Sequence, residues 1–285
     1  LRSVEIELAV KFSPPFANTF PVSCNCSTTY IMSYQEFKPD ITLSKYIDCF
    51  WIDNGTCKSK MIKKIIPDGC VDIIVNLGDQ FNIISEDFNV ANEQVILAGP
   101  MSKIKYSESS NNNNLIGIRF KPFGLHAFFD FDDLYKFQNK TILLNSRRFV
   151  PDFKKLDTNK VIQNLTIFFY QKLKNESHYI QNIIHNLNFE KPLEVTKIAQ
   201  ENYTTIKTMQ RHFLKYAGIS LKSYFAIMKI QKAKELINQN IFHSLADIFY
   251  GLNYYDNAHF TKEFLRITGN TPQEYHKNVV LLQNK

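Results

Sequence analysis

The chain has 285 residues, 44% of them hydrophobic and 21% charged, with a formal net charge of +7. That length accommodates two domains of ordinary size, and no run approaches the ~18 apolar residues that a membrane span needs. Five cysteines, an odd number, together with Glu5 and Glu7 where a secretory leader would need apolar residues, fit a reduced cytosolic protein better than a disulfide scaffold.

No role is assigned to residues 1–28. From residue 30 to about 120 the pattern is mainly β. Tyr30–Tyr34 predicts a short strand. Leu43–Trp51 fits helix or strand, with Leu43, Tyr46, Ile47 and Phe50 at helical spacing. Lys63–Ile66 runs into Pro67-Asp68-Gly69, a turn signal. Cys70–Leu77, rich in Val and Ile and closed by Gly78-Asp79, is the clearest strand. Phe81–Ile84, Val95–Ala98 and Leu115–Phe120 follow, with Asn111–Asn114 read as a polar loop. Short strands separated by turn residues predict a sandwich or a barrel.

After Phe123 the pattern turns helical, and Phe149-Val150-Pro151 marks a break. Val161, Leu165, Phe168, Phe169 and Leu173 make an amphipathic helix, and Ile180, Ile183, Ile184 and Leu187 make another. Such helices pack the domains together, pair two protomers, or cover their own domain's core.

The stretch from Pro192 to Tyr275 is built twice. Met209-Gln210-Arg211-His212-Phe213, then Gly218 and Tyr224, is matched 51 residues later by Phe260-Thr261-Lys262-Glu263-Phe264, Gly269 and Tyr275. Each copy predicts a helix, a tight turn and a second helix. In the first, Val195, Ile198 and Ala199 form the leading stripe behind Pro192, and Asn202-Tyr203 make the turn. Thr204 or Thr205 caps the second helix, Met209, Phe213 and Tyr216 are its buried face, and Gly218 ends it. In the second copy, Ser244 and Asp247 form a capping box, Asp256 caps, Phe260, Phe264 and Ile267 are buried, and Gly269 ends the helix. Leu221–Asn238, with Ala226, Ile230, Ala233 and Ile237 at helical spacing and no Gly or Pro, predicts one continuous helix between the copies. Residues 190–285 hold 13 Lys/Arg and 8 Asp/Glu, so most of the excess positive charge lies here, the footprint of a polyanion binder.

Arg211-His212-Phe213, the connecting helix, Tyr254-Tyr255-Asp256-Asn257-Ala258-His259-Phe260 and Gly269-Asn270-Thr271-Pro272-Gln273-Glu274-Tyr275 resemble the DNA-binding domain of the AraC/XylS family over about 95 residues. The resemblance implies a non-enzymatic transcription regulator. Its two helix-turn-helix units would place their second helices in successive major grooves of double-stranded DNA, roughly 34 Å apart. It carries base reading onto Lys207, Gln210 and Arg211 of the first unit and onto Asn257, Thr261 and Lys262 of the second, with Ala258 near a thymine methyl. Thr205, Lys215, Lys222 and Arg266 are the phosphate contacts of this reading. The chain departs from the family pattern at Asn202-Tyr203 and Asn253, where glycine is usual, at Phe249, where a small alanine is usual, at Gly251, and at Lys229, commonly arginine.

Pro67-Asp68-Gly69-Cys70-Val71-Asp72 and Gly117-Ile118-Arg119-Phe120-Lys121-Pro122 resemble, in outline, a small β-barrel sensor domain that often precedes this module. The expected class is therefore α+β: a β-rich barrel or sandwich over 1–150, a helical linker or dimerisation segment over 151–189, and an all-α DNA-binding domain over 190–285. Asp68 and Arg119 are the candidate effector contacts; they could equally pair with each other for structure. One histidine, His126, before residue 170 makes a cupin-type metal centre a poor reading, and no cofactor is expected. RNA polymerase, a small-molecule effector and a second protomer are the candidate partners beside DNA. The resemblance also extends to DNA-repair alkyltransferases that carry a related helical module. There Cys70 or the Cys24/Cys26 pair would accept an alkyl group, though a buried core thiol is the simpler reading of Cys70. A third reading makes the first domain a protein-contact module without an effector.

Overall fold

The computed structural model describes residues 19–23, 31–56, 61–109, 111–153, 160–174, 179–240 and 242–283. The expected strand at Tyr30 and the Cys24/Cys26 pair fall wholly or partly outside these residues. The N-terminal part is two antiparallel sheets. Strands β1 (Thr19–Ser23), β4 (Met61–Ile65), β9 (Lys105–Ser109), β6 (Phe81–Ile83) and β7 (Phe88–Val90) form one, adjacent in that order. Strands β11 (Thr141–Leu144), β8 (Val95–Ala98), β5 (Val71–Asn76), β10 (Asn112–Phe120), β3 (Ile47–Thr56) and β2 (Ile31–Phe37) form the other. The sheets stack without closing into a barrel.

Three readings are corrected here. Leu43–Trp51 divides into a single helical turn, Leu43–Lys45, and the start of β3. Asn112–Asn114 is not a loop: it opens β10, in register with Thr56, Gly55 and Asn54 of β3. The stretch after Phe123 is not helical throughout, because Thr141–Leu144 pairs with β8 at the sheet edge.

Both faces of β10 are covered. Ile116, Ile118 and Phe120 pack into the domain's main core with Phe50, Ile73, Leu97, Phe128 and Phe169. Leu115, Gly117 and Arg119 point the other way, between the sheets. Gly117 is required by close approach: a Cβ there would sit 1.8 Å from the ring of Trp51.

Behind α1 (Ser146–Phe149), α2 (Val161–Lys172) buries Val161, Leu165 and Phe169 in that same core, with Phe168 against it. Its apolar face therefore covers its own domain. Helix α3 (Tyr179–Asn186) instead buries Ile180 and Ile183 in the C-terminal core. That core gathers α4 (Val195–Glu201), α5 (Ile206–Ala217), α6 (Leu221–Asn238), α7 (Leu245–Gly251), α8 (Asn257–Thr268) and α9 (Pro272–Gln283). Helix α6 is one unbroken rod, buried on nearly every side, because both repeat copies and the N-terminal domain pack around it.

Candidate nucleic-acid interface

The two helices expected to read DNA are built by the local chemistry that the sequence announces. Thr205 caps α5, its hydroxyl accepting from the Thr208 N–H at 3.1 Å. Asp256 caps α8, accepting from the His259 N–H at 2.7 Å. Ser244 and Asp247 complete the capping box of α7. Pro192 lies two residues ahead of Glu194, the N-cap of α4. Helices α5 and α8 end at Gly218 and Gly269, with φ of +72° and +70°. Met209 and Phe213 of α5, and Phe260, Phe264 and Ile267 of α8, hold the helices down.

The turns of the two copies differ. In the first copy the left-handed residue is Tyr203, φ +50° and fully exposed; in the second it is Asn253, φ +54°. These are 50 residues apart, whereas the caps Thr205 and Asp256 are 51 apart, so the second turn is one residue longer. The extra residue falls at Tyr254-Tyr255. Tyr254 is buried, donates to Glu263 Oε2 at 2.6 Å and packs on Phe260. The second unit is also tied to α6. Lys229 Nζ donates to the Asn253 carbonyl at 3.3 Å and stands 4.5 Å from the Tyr254 ring centre. Burial lowers its pKa. Phe249, large where alanine is usual, bridges α7 and α8 against Phe260, with ring centres 6.1 Å apart.

Helices α5 and α8 flank one groove of about 830 Å³ floored by α6; Lys207, Gln210 and Arg211 line one side and Asn253, His259 and Glu263 the other. Lys207, Gln210, Arg211, Asn257 and Lys262 are all exposed, and Thr261 is half-buried, donating to Asn257 Oδ1 at 3.2 Å. Lys222 is exposed on the same groove. Arg266 pairs with Glu263 at 3.6 Å. His212 and His259 pack beside aromatic rings: His212 Nδ1 lies 2.8 Å from the Tyr179 hydroxyl, and His259 stands edge-on to Tyr254.

Lys215 faces the N-terminal domain, 3.7 Å from Asp133. It belongs to a larger docking contact that the sequence did not announce. Tyr216 lies edge-on to Phe123 and His126, and its carbonyl accepts from the Phe123 N–H at 3.3 Å. Burial pushes the His126 pKa down to about 4. Gln231 of α6 donates to the Pro67 carbonyl, and Tyr224 packs over Gly69. Lys64 donates to Asn270 Oδ1 in the α8–α9 turn at 2.7 Å.

Asp68 and Arg119 do pair, at 3.3 Å, and Arg119 also faces Asp72 at 3.4 Å and Glu36 at 3.2 Å. Arg119, Asp68 and Asp72 line a cavity of about 120 Å³ between the two sheets. Cys70, on its wall, has its thiol held far above the ordinary value by burial first and by the Asp68 charge second. That keeps it protonated and works against an alkyl-accepting thiolate there.

Residues 198–278 match the family model of a helix-turn-helix domain, and residues 35–142 match a family described only as a domain of unknown function. No curated protein matches the sequence. Among solved structures, ToxT from Vibrio cholerae is 12% identical, covering 88% of this chain and 98% of its own, with a TM-score of 0.45. The AraC-like transcriptional activator CuxR is 10% identical over 76% of this chain and 86% of its own, with a TM-score of 0.34. A Listeria innocua protein of unknown function is 25% identical over 35% of this chain and 97% of its own, with a TM-score of 0.33. Residues 198–278 are thus a helix-turn-helix domain, in the part of the chain where the repeated unit lies.

Proposed function

We infer that the protein reads two successive major grooves on one face of duplex DNA, with α5 in one and α8 in the next. The observation that carries this is the groove flanked by both capped helices, with Lys207, Gln210 and Arg211 along its α5 side and with Asn257 and Lys262 exposed on α8 outside the groove. Arg211 supplies the bidentate fork that fits guanine O6 and N7, and Gln210 suits adenine. Lys207 extends that row. Asn257, Thr261 and Lys262 read the second groove. Thr205, Lys215, Lys222 and Arg266 engage phosphates and set the register without reading sequence. Asp133 competes with phosphate for Lys215, so DNA binding and domain docking draw on the same side chain.

Selection from a random duplex library, followed by salt-dependent binding of the enriched sequence, tests this. Two conserved blocks about one helical turn apart are expected. A single block would restrict α8 to the backbone, and no enrichment with steeply salt-dependent binding would reduce the interaction to charge alone.

The N-terminal domain, in this reading, senses a small molecule in the cavity between its sheets, with Asp68 and Arg119 among the contacts. The support is the cavity itself, enclosed by charged side chains and adjoining the turn that packs on α6. A thermal shift of the full chain with a metabolite set, read beside operator affinity, separates a sensor from a domain that makes protein contacts only. RNA polymerase and a second protomer are the further partners of this reading. Because Leu165 is buried in its own domain, a dimer contact would use other residues of α2.

A further inference from the structure

The charge around the inter-sheet cavity says what kind of molecule it takes, given that the N-terminal domain is a sensor. Two of its cations are matched one to one. Lys63 Nζ lies 2.5 Å from Asp53 Oδ2, and Lys105 Nζ lies 2.6 Å from Glu86 Oε1. The third, Arg119, faces three carboxylates within 3.4 Å: Glu36, Asp68 and Asp72. The cluster therefore holds more carboxylates than cations. Adding Lys234 of α6, which is buried nearby and feels the charges of Asp68 and Arg119, still leaves one carboxylate in excess. A carboxylate guest would meet only cations that already have carboxylate partners, and would add a like charge in a place shielded from water.

The buried atoms there without a hydrogen bond include the donors Trp51 Nε1, Lys105 Nζ and Arg119 Nε as well as the acceptors Glu36 Oε2, Asp53 Oδ1 and Asp72 Oδ1, so the excess of carboxylates, not the unmet bonds, sets the sign of the charge that fits. A buried acceptor left in this way is costly, and a donor supplied by a guest removes that cost. Trp51 and Tyr34 line the same cavity, ring centres 6.0 Å apart, and their faces attract cations. The space of about 120 Å³ suits a guest of roughly benzene size.

We propose that the cavity between the two sheets binds a small organic cation, an amine whose N–H groups donate to Asp53, Asp68 and Asp72 while its carbon atoms lie against Trp51. Asp68 connects this guest to the DNA-binding part. It sits in the turn whose Pro67 carbonyl accepts from Gln231, and whose Gly69 lies under Tyr224. The titration of the site supports the same charge sense. Burial, and then the charges of Asp68 and Asp48 acting against Arg119, push the Asp72 pKa up to about 7. Glu36, Cys49, Cys70, Tyr34 and Lys234 also face this cluster. A bound ammonium takes the place of the Asp72 proton, so affinity rises as pH goes from below to above about 7.

Trp51 is the chain's single tryptophan, so its fluorescence reports occupancy directly. The full chain is titrated with n-butylamine, choline, butyrate and n-butanol, and operator binding is measured at each endpoint. The amines are expected to change Trp51 emission and raise the melting temperature. Asp72→Asn and Asp68→Asn are expected to weaken them about 10- to 100-fold. If those variants fail to fold, the wild-type pH series decides: amine affinity that does not rise through neutral pH overturns the proposal. Binding of butyrate or n-butanol as strong as that of the amines overturns the cationic class while leaving the sensor standing. Silence from both amines at millimolar concentration also overturns it. The sensor reading fails separately, if no member of a broad metabolite set shifts either the melting temperature or operator affinity.

Discussion

Gly218 and Gly269 hold equivalent places in the two copies, and substituting each by alanine isolates what the docked N-terminal domain contributes. Their conformations match, with φ of +72° and +70°, so a methyl group costs about 1–2 kcal/mol at either site from backbone geometry alone. Their surroundings differ. At 269 the new methyl meets Ile104 Cδ1 and Lys64 Nζ, both at 2.9 Å, and both are ends of flexible side chains that can move aside. At 218 it meets the Pro100 ring at 2.3 Å and the Leu134 carbonyl carbon and oxygen at 3.0 Å, which cannot give without shifting backbone. Overpacking of that kind adds about 1–3 kcal/mol. Gly269→Ala is therefore expected to cost about 1–2 kcal/mol and Gly218→Ala about 2–5. Urea unfolding followed by two probes reads this. Trp51 fluorescence reports the N-terminal domain, and far-ultraviolet circular dichroism reports mainly the helices. Gly218→Ala should also pull the two transitions apart, because it loosens the contact made by Tyr216, Phe123 and Lys215 with Asp133. Equal losses for the two variants, with coincident transitions in both, would refute the idea that the end of α5 is clamped by the N-terminal domain.

Arg211→Ala should cost about 1–3 kcal/mol on the selected operator and relax preference at one base pair; unchanged affinity for every site would mean that the register of α5 on DNA is wrong. Lys215→Ala should weaken all sequences alike and lower the salt slope by about one unit, as a titration across salt concentrations would show. Tyr203→Gly should stabilise the chain by about 0.5–1 kcal/mol, since Tyr203 is fully exposed and gains nothing from its strained left-handed turn; a melting temperature that stays put would count against strain there. Burial pushes the Lys234 pKa from 10.5 down to about 7. Between those values the unfolded chain holds a proton that the folded chain lacks, so this residue makes stability rise with pH across that window. Lys234→Met should flatten the rise, measured by urea unfolding at neutral and alkaline pH.

The helical third was legible because each signal is local. Caps at Thr205, Ser244 and Asp256, left-handed stops at Gly218 and Gly269, and apolar residues three and four apart need no knowledge of distant neighbours. The strands were legible only where their inward face is apolar, as in Val71–Asn76. Lys105–Ser109 escaped because its inward residues, Lys105, Ser107 and Ser109, face a charged cavity rather than a core, so alternation of apolar and polar residues never arises. Asn112–Asn114 misled for a similar reason. Asparagine signals a turn, yet Asn113 is buried, its amide donating to the Asp53 carbonyl across the sheet. Arg119 and Asp68 stood out as polar residues in apolar surroundings, but Glu36 and Asp72 complete the cluster from strands that lie far apart in sequence.

The N-terminal domain contacts the helical part at the end of α5, along α6 and at the turn after α8. It thus grips both copies of the repeat at their equivalent glycines, together with the rod that sets the distance between them. Lys229 fixes the second turn to that same rod, and Tyr254, the buried residue of the longer second turn, packs beneath the lysine. Helix α5 is held at its C-terminal end by the N-terminal domain, whereas α8 is held at its N-terminal turn by α6 and meets the N-terminal domain only at Gly269 and Asn270. A change in the N-terminal domain that moves the turn at Pro67–Cys70 acts first on Tyr224, Gln231 and the end of α5, and reaches α8 only through α6 or through the contact between Lys64 and Asn270. If, as proposed, the cavity controls DNA binding and α5 and α8 read bases, an effector should alter reading by Lys207, Gln210 and Arg211 before it alters reading by Asn257, Thr261 and Lys262.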